Sequence, residues 1–397
     1  MSNHHFRLTV KSFLFSKREY MNNILIIALL AAIINGSMMT GDSVRESLKR
    51  NSEEKLGNTY LVAGTGQRFF DPTLAGRLNH NHNLITVPVF ETTGYCQNFS
   101  NGATALNVSI YGVDSAFFDF HGLNGIKISD GGVLLNGNLA GYLGIKEGDE
   151  IIIRFREADP IPENAPFSPG KTGTSSKVFL VSGIIEAEMA GNFSLGISQI
   201  PPMNIFMNLE DTGLSEGNSG RCNRLLAAYS TGLSDSLLYK LLKTELKLTD
   251  IGFKIRKSDA TKETEIISDR IFIDSSLVFS ILSYVKGYPV LTYLANSISG
   301  KSAETPYSFI CSSDKVFSST GGNTILINKW LAADINAEAG DTLTLSWFFP
   351  EGSRLGTRSE KFYVVGITGS EPGFNDPFLM PEFPGISGST SCSSWDA

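Results

Sequence analysis

The run ILIIALLAAIINGSMM, Ile24 to Met39, divides the chain into a short basic N-terminal piece and a long mixed remainder. No charged residue falls between Met21 and Gly41, and eight Ile and Leu side chains lie between Ile24 and Ile34. Each favours insertion into a bilayer by roughly 0.3–0.6 kcal/mol. At about 1.5 Å per residue, a helix from Asn23 to Thr40 covers roughly 27 Å, close to the roughly 30 Å of a hydrocarbon core. A spanning helix over 21–41 is therefore expected. The turn-rich sequence after it offers no second crossing. Two other readings compete. A cleaved signal peptide needs a small-x-small site, and Asn35-Gly36-Ser37 is a poor one behind so long a leading stretch. A buried core helix stays open because sixteen residues sit at the short end for spanning.

Working outward, Phe6, Val10, Phe13 and Leu14 share one helical face while Lys11, Lys17 and Arg18 lie elsewhere. That is the pattern of a helix resting in the membrane interface, with a frayed terminus as the plain alternative. Lys and Arg tie at four on each side of the span (Arg7, Lys11, Lys17, Arg18; Arg45, Lys49, Arg50, Lys55), so the positive-inside rule does not orient it. The N-terminus is assigned to the cytoplasm and the bulk of the chain to the outside. On the far side, Val44, Leu48 and Leu56 recur near i+4 spacing, Glu46 and Arg50 form an i,i+4 pair, and Gly57 suits a C-terminal cap. The span is expected to continue as a charged stalk helix able to carry a push or rotation. A solvated surface helix without mechanical duty has the same pattern.

The 397 residues suffice for two or more domains, and 42 % hydrophobic with 18 % charged residues describes a folded protein. A net charge of −7, with no basic run interleaved with aromatics, argues against a nucleic-acid partner. The 39 glycines and 26 phenylalanines suggest many short strands joined by tight turns.

Two β-α-β units are expected. In the first, strand Tyr60–Ala63 leads through a helix opened by Asp71-Pro72 to strand Leu84–Phe90. In the second, strand Leu225–Tyr229 leads through helix Ser234–Leu248 to strand Phe253–Arg256. Together they can complete one open sheet with the intervening sequence inserted as a lobe. That insert holds one copy of a repeat. Val133-Leu134-Leu135-Asn136 through Gly148-Asp149 to Phe155 matches Ile325-Leu326-Ile327-Asn328 through Gly340-Asp341 to Trp347, each position 192 residues on and without a gap. Both copies read as buried strand, Asn cap, short helix, Gly-Asp turn and apolar strand. A further strand follows each, Lys177–Gly183 and Lys361–Gly366. So long a period indicates a duplicated β-rich lobe. The Gly-Asp pairs are read as turns, not as catalytic groups.

Chemistry-bearing patterns are thin. Gly170-Lys171-Thr172 ends like a phosphate-binding loop, but Ala165 stands where the first glycine belongs and Pro166 and Pro169 break the loop. Gly64-Thr65-Gly66 lacks a third glycine. His80-Asn81-His82 has no acidic or Cys company in sequence and reads as a polar loop. No G-x-S-x-G elbow exists, and Cys96, Cys222, Cys311 and Cys392 are scattered without zinc-ligand spacing. Outside the cytoplasm they allow one or two disulfides of open pairing. An anchored hydrolase would need His80, His82 or His121 beside carboxylates in a cleft. No catalytic, cofactor-binding or metal-ligating residue is assigned, and no cofactor.

The run Gly41-Asp42-Ser43-Val44-Arg45 with Ser47-Leu48, straight after a first membrane helix, resembles the opening of FtsX-like/MacB-like ABC transporter permeases. So do Val133–Asn136, Leu139-Ala140, Leu143-Gly144, Lys146 and Gly148-Asp149, and the re-entering strand Asn223-Arg224-Leu225-Leu226. Leu291–Asn296 with Pro306-Tyr307-Ser308, and Met380–Ile386, are similar to a long-ectodomain subgroup. The resemblance implies an α+β chain: one transmembrane helix and stalk, then a MacB-like periplasmic core of split β-α-β sheet with an inserted, duplicated β-rich lobe. It implies a non-enzymatic permease subunit of the bacterial inner membrane, working as a homo- or heterodimer with a separate cytoplasmic ABC ATPase. Family members carry further membrane helices, so this chain is expected to be their N-terminal part. The domain plan is then 1–20 interfacial helix, 21–41 span, 42–57 stalk, 58–260 core with a first lobe at about 120–222, and 261–397 second lobe with an incomplete extension. The alternative is a single-pass anchored binding or scaffold protein.

Overall fold

In the computed structural model, which describes residues 2–66, 68–156, 174–196, 198, 200–212, 220–257, 262–268, 273–313, 322–351, 354–369, 374 and 379, the apolar run lies inside one long helix. Helix α1 (Ser2–Phe15) stops at Ser16, and α2 (Lys17–Leu56) then runs forty residues without interruption. Span and stalk are thus one element, with no break near residue 41. By length and composition α2 can cross a membrane, and its most apolar window buries nothing against the other described residues. In the stalk, Arg50 pairs with Glu54 (3.7 Å) and Lys49 with Glu53 (3.8 Å), not Arg50 with Glu46 as the spacing suggested. Gly57 ends the helix at φ +54°, donating its N–H to Glu53 O at 3.0 Å. Glycine takes this conformation without the Cβ penalty other residues incur.

Beyond the stalk come β1 (Thr59–Gly64), α3 (Thr73–His82), β2 (Thr86–Asn98), β3 (Thr104–Val113), α4 (Ser115–Phe120), β4 (Gly132–Asn136), α5 (Gly137–Leu143), β5 (Glu150–Arg156), β6 (Thr174–Ile185), β7 (Asn204–Asn208), β8 (Arg224–Ala228) and α6 (Asp235–Glu245). Strands β1 and β2 flank β8, each antiparallel to it, so β1-α3-β2 is the expected split β-α-β unit with β8 threaded between its strands. The thirteen-residue β2 then does double duty. Its first four residues pair with β8, and its later residues pair with β3 on one side and β5 on the other. Pairings β3–β7, β7–β4, β4–β6 and β6–β5 complete a closed ring of six strands. The lobe is therefore a barrel, and two of its strands, β2 and β3, precede the expected start near residue 120.

Alternation explains the barrel's two cores. Ile205 and Met207 of β7, Val133 and Leu135 of β4 and Ile110 of β3 point inward with Ile151, Ile153 and Phe179. Phe206, Leu134 and Tyr111, one residue out of phase, point outward onto Phe117, Phe118 and Phe193. Successive strand residues face opposite sides, so strands covered on both faces read as continuous apolar runs. Helix α5 closes one end of the barrel with Leu139 and Leu143.

The second β-α-β unit takes a different course. Strand β9 (Phe253–Lys257) leaves the sheet and pairs only with β10 (Thr264–Ser268) among the described residues. It buries Phe253 alone, and Lys254, Arg256 and Lys257 make it a poor core strand. Arg256 is matched instead by Glu265 at 2.8 Å across the hairpin.

After α7 (Ser275–Tyr284) come β11 (Val290–Ser299), β12 (Glu304–Ser313), β13 (Thr324–Asn328), α8 (Lys329–Asp334), β14 (Thr342–Glu351) and β15 (Arg354–Thr368). The repeat survives in atomic detail. Strands β4 and β13 run parallel to β6 and β15, with register shifts at Val133/Leu134 and at Ile325/Leu326, 192 residues apart. Asn136 Oδ1 accepts the Leu139 N–H at 3.1 Å, as Asn328 Oδ1 accepts that of Leu331 at 2.8 Å. Gly148 and Gly340, at φ +89° and +99°, donate to Val181 O and Val364 O, and those valines donate back to Asp149 O and Asp341 O. Yet the order β12-β11-β14-β15-β13 is an open sheet: among the described residues nothing takes the place of β7. The molecule is mixed α+β, with one N-terminal apolar helix and two large sheet bodies.

Candidate functional site

The junction between α2 and the head has the most distinctive chemistry among the described residues. Lys55, in the last turn of α2, is 6 % exposed, and its ammonium donates to the carbonyls of Ser198 (2.6 Å) and Ile200 (3.4 Å) in the β6–β7 connection. Its own carbonyl accepts the Ser194 N–H at 3.1 Å. A cation at a helix C-terminus also meets the negative end of the helix dipole. Three residues on, Asn58 donates its backbone N–H to His121 Nδ1 (3.2 Å) and its side-chain amide to Phe120 O (2.8 Å). Helix α4 carries Phe117, Phe118 and Phe120 into the outer aromatic core, and His121 follows directly.

The imidazole packs edge-on or tilted among Phe117, Phe120 and Phe193, with ring centroids 4.7, 5.0 and 5.3 Å away. Nδ1 accepts, so the proton sits on Nε2, a buried atom with no partner among the described residues. Burial pushes its pKa down to about 4. A Cβ on Gly57 would come within 2.9 Å of His121 Cε1 and closer still to Nδ1. Helix end, tight turn, histidine and aromatic layer thus interlock. Dense packing of this kind makes a stiff joint.

Few site candidates are readable from the residues alone, and the structure disperses them. His80, Asn81 and His82 form the last turn of α3, not a loop. His82 Nε2 lies 2.9 Å from Glu245, which also accepts from Asn81 at 3.1 Å. These bonds hold the Glu245 carboxyl below its usual range, the Asn81 amide foremost. Arg77 joins the same contact, donating to Glu245 O at 3.2 Å and to the buried Asp250 carboxylate. The group clamps α3 onto α6 and is not a cleft. No cluster of three or more metal-ligating side chains occurs among the described residues. Cys96, Cys222 and Cys311 are free thiols, and burial raises Cys96 to about 12, far from a reactive thiolate. Gly170–Thr172, Cys392 and Met380–Ile386 lie outside the described residues. An open depression of about 500 Å³ beside α5, edged by Asn138, Lys146, Glu186 and Asn192, brings together no catalytic set. Sequence reasoning missed Lys55, Asn58 and His121 as a group. A lysine before a capping glycine is ordinary, and the carbonyls its ammonium meets lie 143 and 145 residues away.

No family model matches the sequence, and no curated protein matches it. Among solved structures the chain is similar to the periplasmic region of MacB from Actinobacillus actinomycetemcomitans, at 13 % identity and a TM-score of 0.30, over 59 % of this chain and 97 % of that one.

Proposed function

We propose that this chain is the N-terminal part of a permease subunit of an ABC transporter, carrying motion from the membrane to a head outside the cytoplasm. The observation that carries the reading is the unbroken course of α2 into the junction. Its forty residues measure about 60 Å, roughly half in the bilayer and half beyond it. A single uncharged helix is a poor lining for a conduit, whereas a stiff rod locked into a packed head can transmit displacement. In this reading the N-terminus is cytoplasmic, and the chain dimerises with itself or a related permease at the bacterial inner membrane. A separate ATPase does the chemistry. The motion acts on a substrate or partner outside, in export, lipoprotein release or mechanotransmission.

The test is co-purification of the protein from native membranes with an ABC ATPase subunit, combined with three glycines inserted after Lys49. The expected result is that the ATPase co-purifies and that the insertion abolishes ATP-dependent protease sensitivity of the head while its melting temperature stays unchanged. Recovery of the protein without any ATPase would favour a single-pass anchored scaffold and refute the proposal.

A further inference from the structure

We propose that α1 is a lipid-binding element: it lies on the membrane beside the start of α2, apolar face down, with Arg7, Lys11, Lys17 and Arg18 at the phosphates of anionic lipids. This rests on α2 being inserted, as in the reading above.

The bend at Ser16 carries the argument. Ser16 leaves helical geometry (φ −102°, ψ 28°), yet its N–H still donates to Ser12 O at 3.0 Å and its carbonyl accepts from Tyr20 at 3.1 Å. In a straight helix, residues seven apart lie on one face but about 10.5 Å apart along the axis. Here Phe13 and Tyr20 stack with ring centroids 5.4 Å apart, so the chain bends toward the face they share. Phe6, Val10 and Leu14 are on that face, at steps of about 100° per residue. The apolar side of α1 therefore lies inside the bend, toward the side on which α2 descends.

Depth follows from the same contact. Tyr20 precedes Ile24 by four residues, about 6 Å of helix rise, which sets its ring and the stacked Phe13 at headgroup level when Ile24–Met39 fills the hydrocarbon. Among the described residues nothing covers this face: Phe6 is 69 % and Leu14 61 % exposed. Leu8 and Phe15 stand off it, which leaves α1 a moderate, surface-seeking amphipath. Charge selects the kind of lipid. Against Arg7, Lys11, Lys17 and Arg18 the first 41 residues hold one acid, Glu19. Basic clusters at the membrane boundary draw anionic headgroups.

The experiment reconstitutes the full chain in vesicles of phosphatidylcholine alone and in vesicles with about a quarter phosphatidylglycerol, and follows amide hydrogen exchange by mass spectrometry. Amides of residues 6–15 are expected to exchange at least about fivefold more slowly on the anionic vesicles, the factor one basic side chain supplies. The difference should vanish at ~0.5 M salt and in R7Q/K11Q/K17Q/R18Q, while β4 amides stay unchanged as a control for the fold. Equal protection on both vesicles would mean burial by apolar contact alone and overturn the lipid preference. Free exchange on both, in protein that resists carbonate extraction, would overturn the surface placement. Release by carbonate would refute the spanning helix itself, and this proposal with it.

Discussion

At Gly57 the chain turns out of α2 with φ +54°, directly under the His121 ring. Alanine there meets both a disfavoured backbone conformation and the imidazole, so Gly57→Ala is expected to cost about 1–3 kcal/mol of head stability, read as a lowered melting temperature. Adding His121→Ala should recover part of that loss, because it removes the clash but not the backbone strain. His121 gives a second prediction. Its pKa in the folded state, about 4, lies below its ordinary value of 6.5 because the ring is buried. The unfolded chain thus binds the extra proton first. The stabilising contribution is complete above pH 6.5 and is lost as pH falls toward 4, amounting to at most about 2–3 kcal/mol once partial exposure is allowed for. Thermal melts across that range should fall more steeply for the native protein than for His121→Gln, which keeps an acceptor for Asn58 but does not titrate.

The two copies of the repeat allow a prediction between elements. Asn136 caps α5, and it also accepts the Asn204 N–H at 3.0 Å and donates to Gly191 O (3.0 Å) and Pro202 O (2.7 Å), tying β4 to β7. Asn328 caps α8 and makes no second such bond among the described residues. Asn136→Ala is therefore expected to cost about 2–4 kcal/mol, and Asn328→Ala only about 1, measured by denaturant melts. This repeat was also the most legible part of the fold. Its strand, cap and Gly-Asp turn are local devices, each written in a few adjacent residues, and all recur at the expected positions. Ring closure was not legible, because β7 joins β3 and β4 across about 70 to 100 residues and its five letters look like any short apolar strand. The departure of β9 had a visible cause in its alternating basic residues, but a hairpin partner cannot be read from one strand. The junction was hidden for the same reason, since Lys55 and His121 acquire meaning only beside partners far away in sequence.

For the molecule as a whole, the span predicts that carbonate washing leaves the protein in the membrane. It also predicts that protease added outside the cell digests the head while protease inside leaves it intact. Fragment sizes on immunoblots with antibodies to each end would check both, and the reverse pattern would invert the orientation. A further consequence comes from β2. One strand begins in the three-stranded sheet with β1 and β8 and ends in the wall of the barrel, so the two bodies share a backbone and not merely a surface. Tilting one against the other would strain the ladders that meet at Val89 and Phe90 on this one strand, where an ordinary linker would yield at little cost. The first half of the head consequently has no built-in elbow: a nudge arriving at residue 59 is felt at residue 98 without slack, and whatever gives way must do so farther along, past β8.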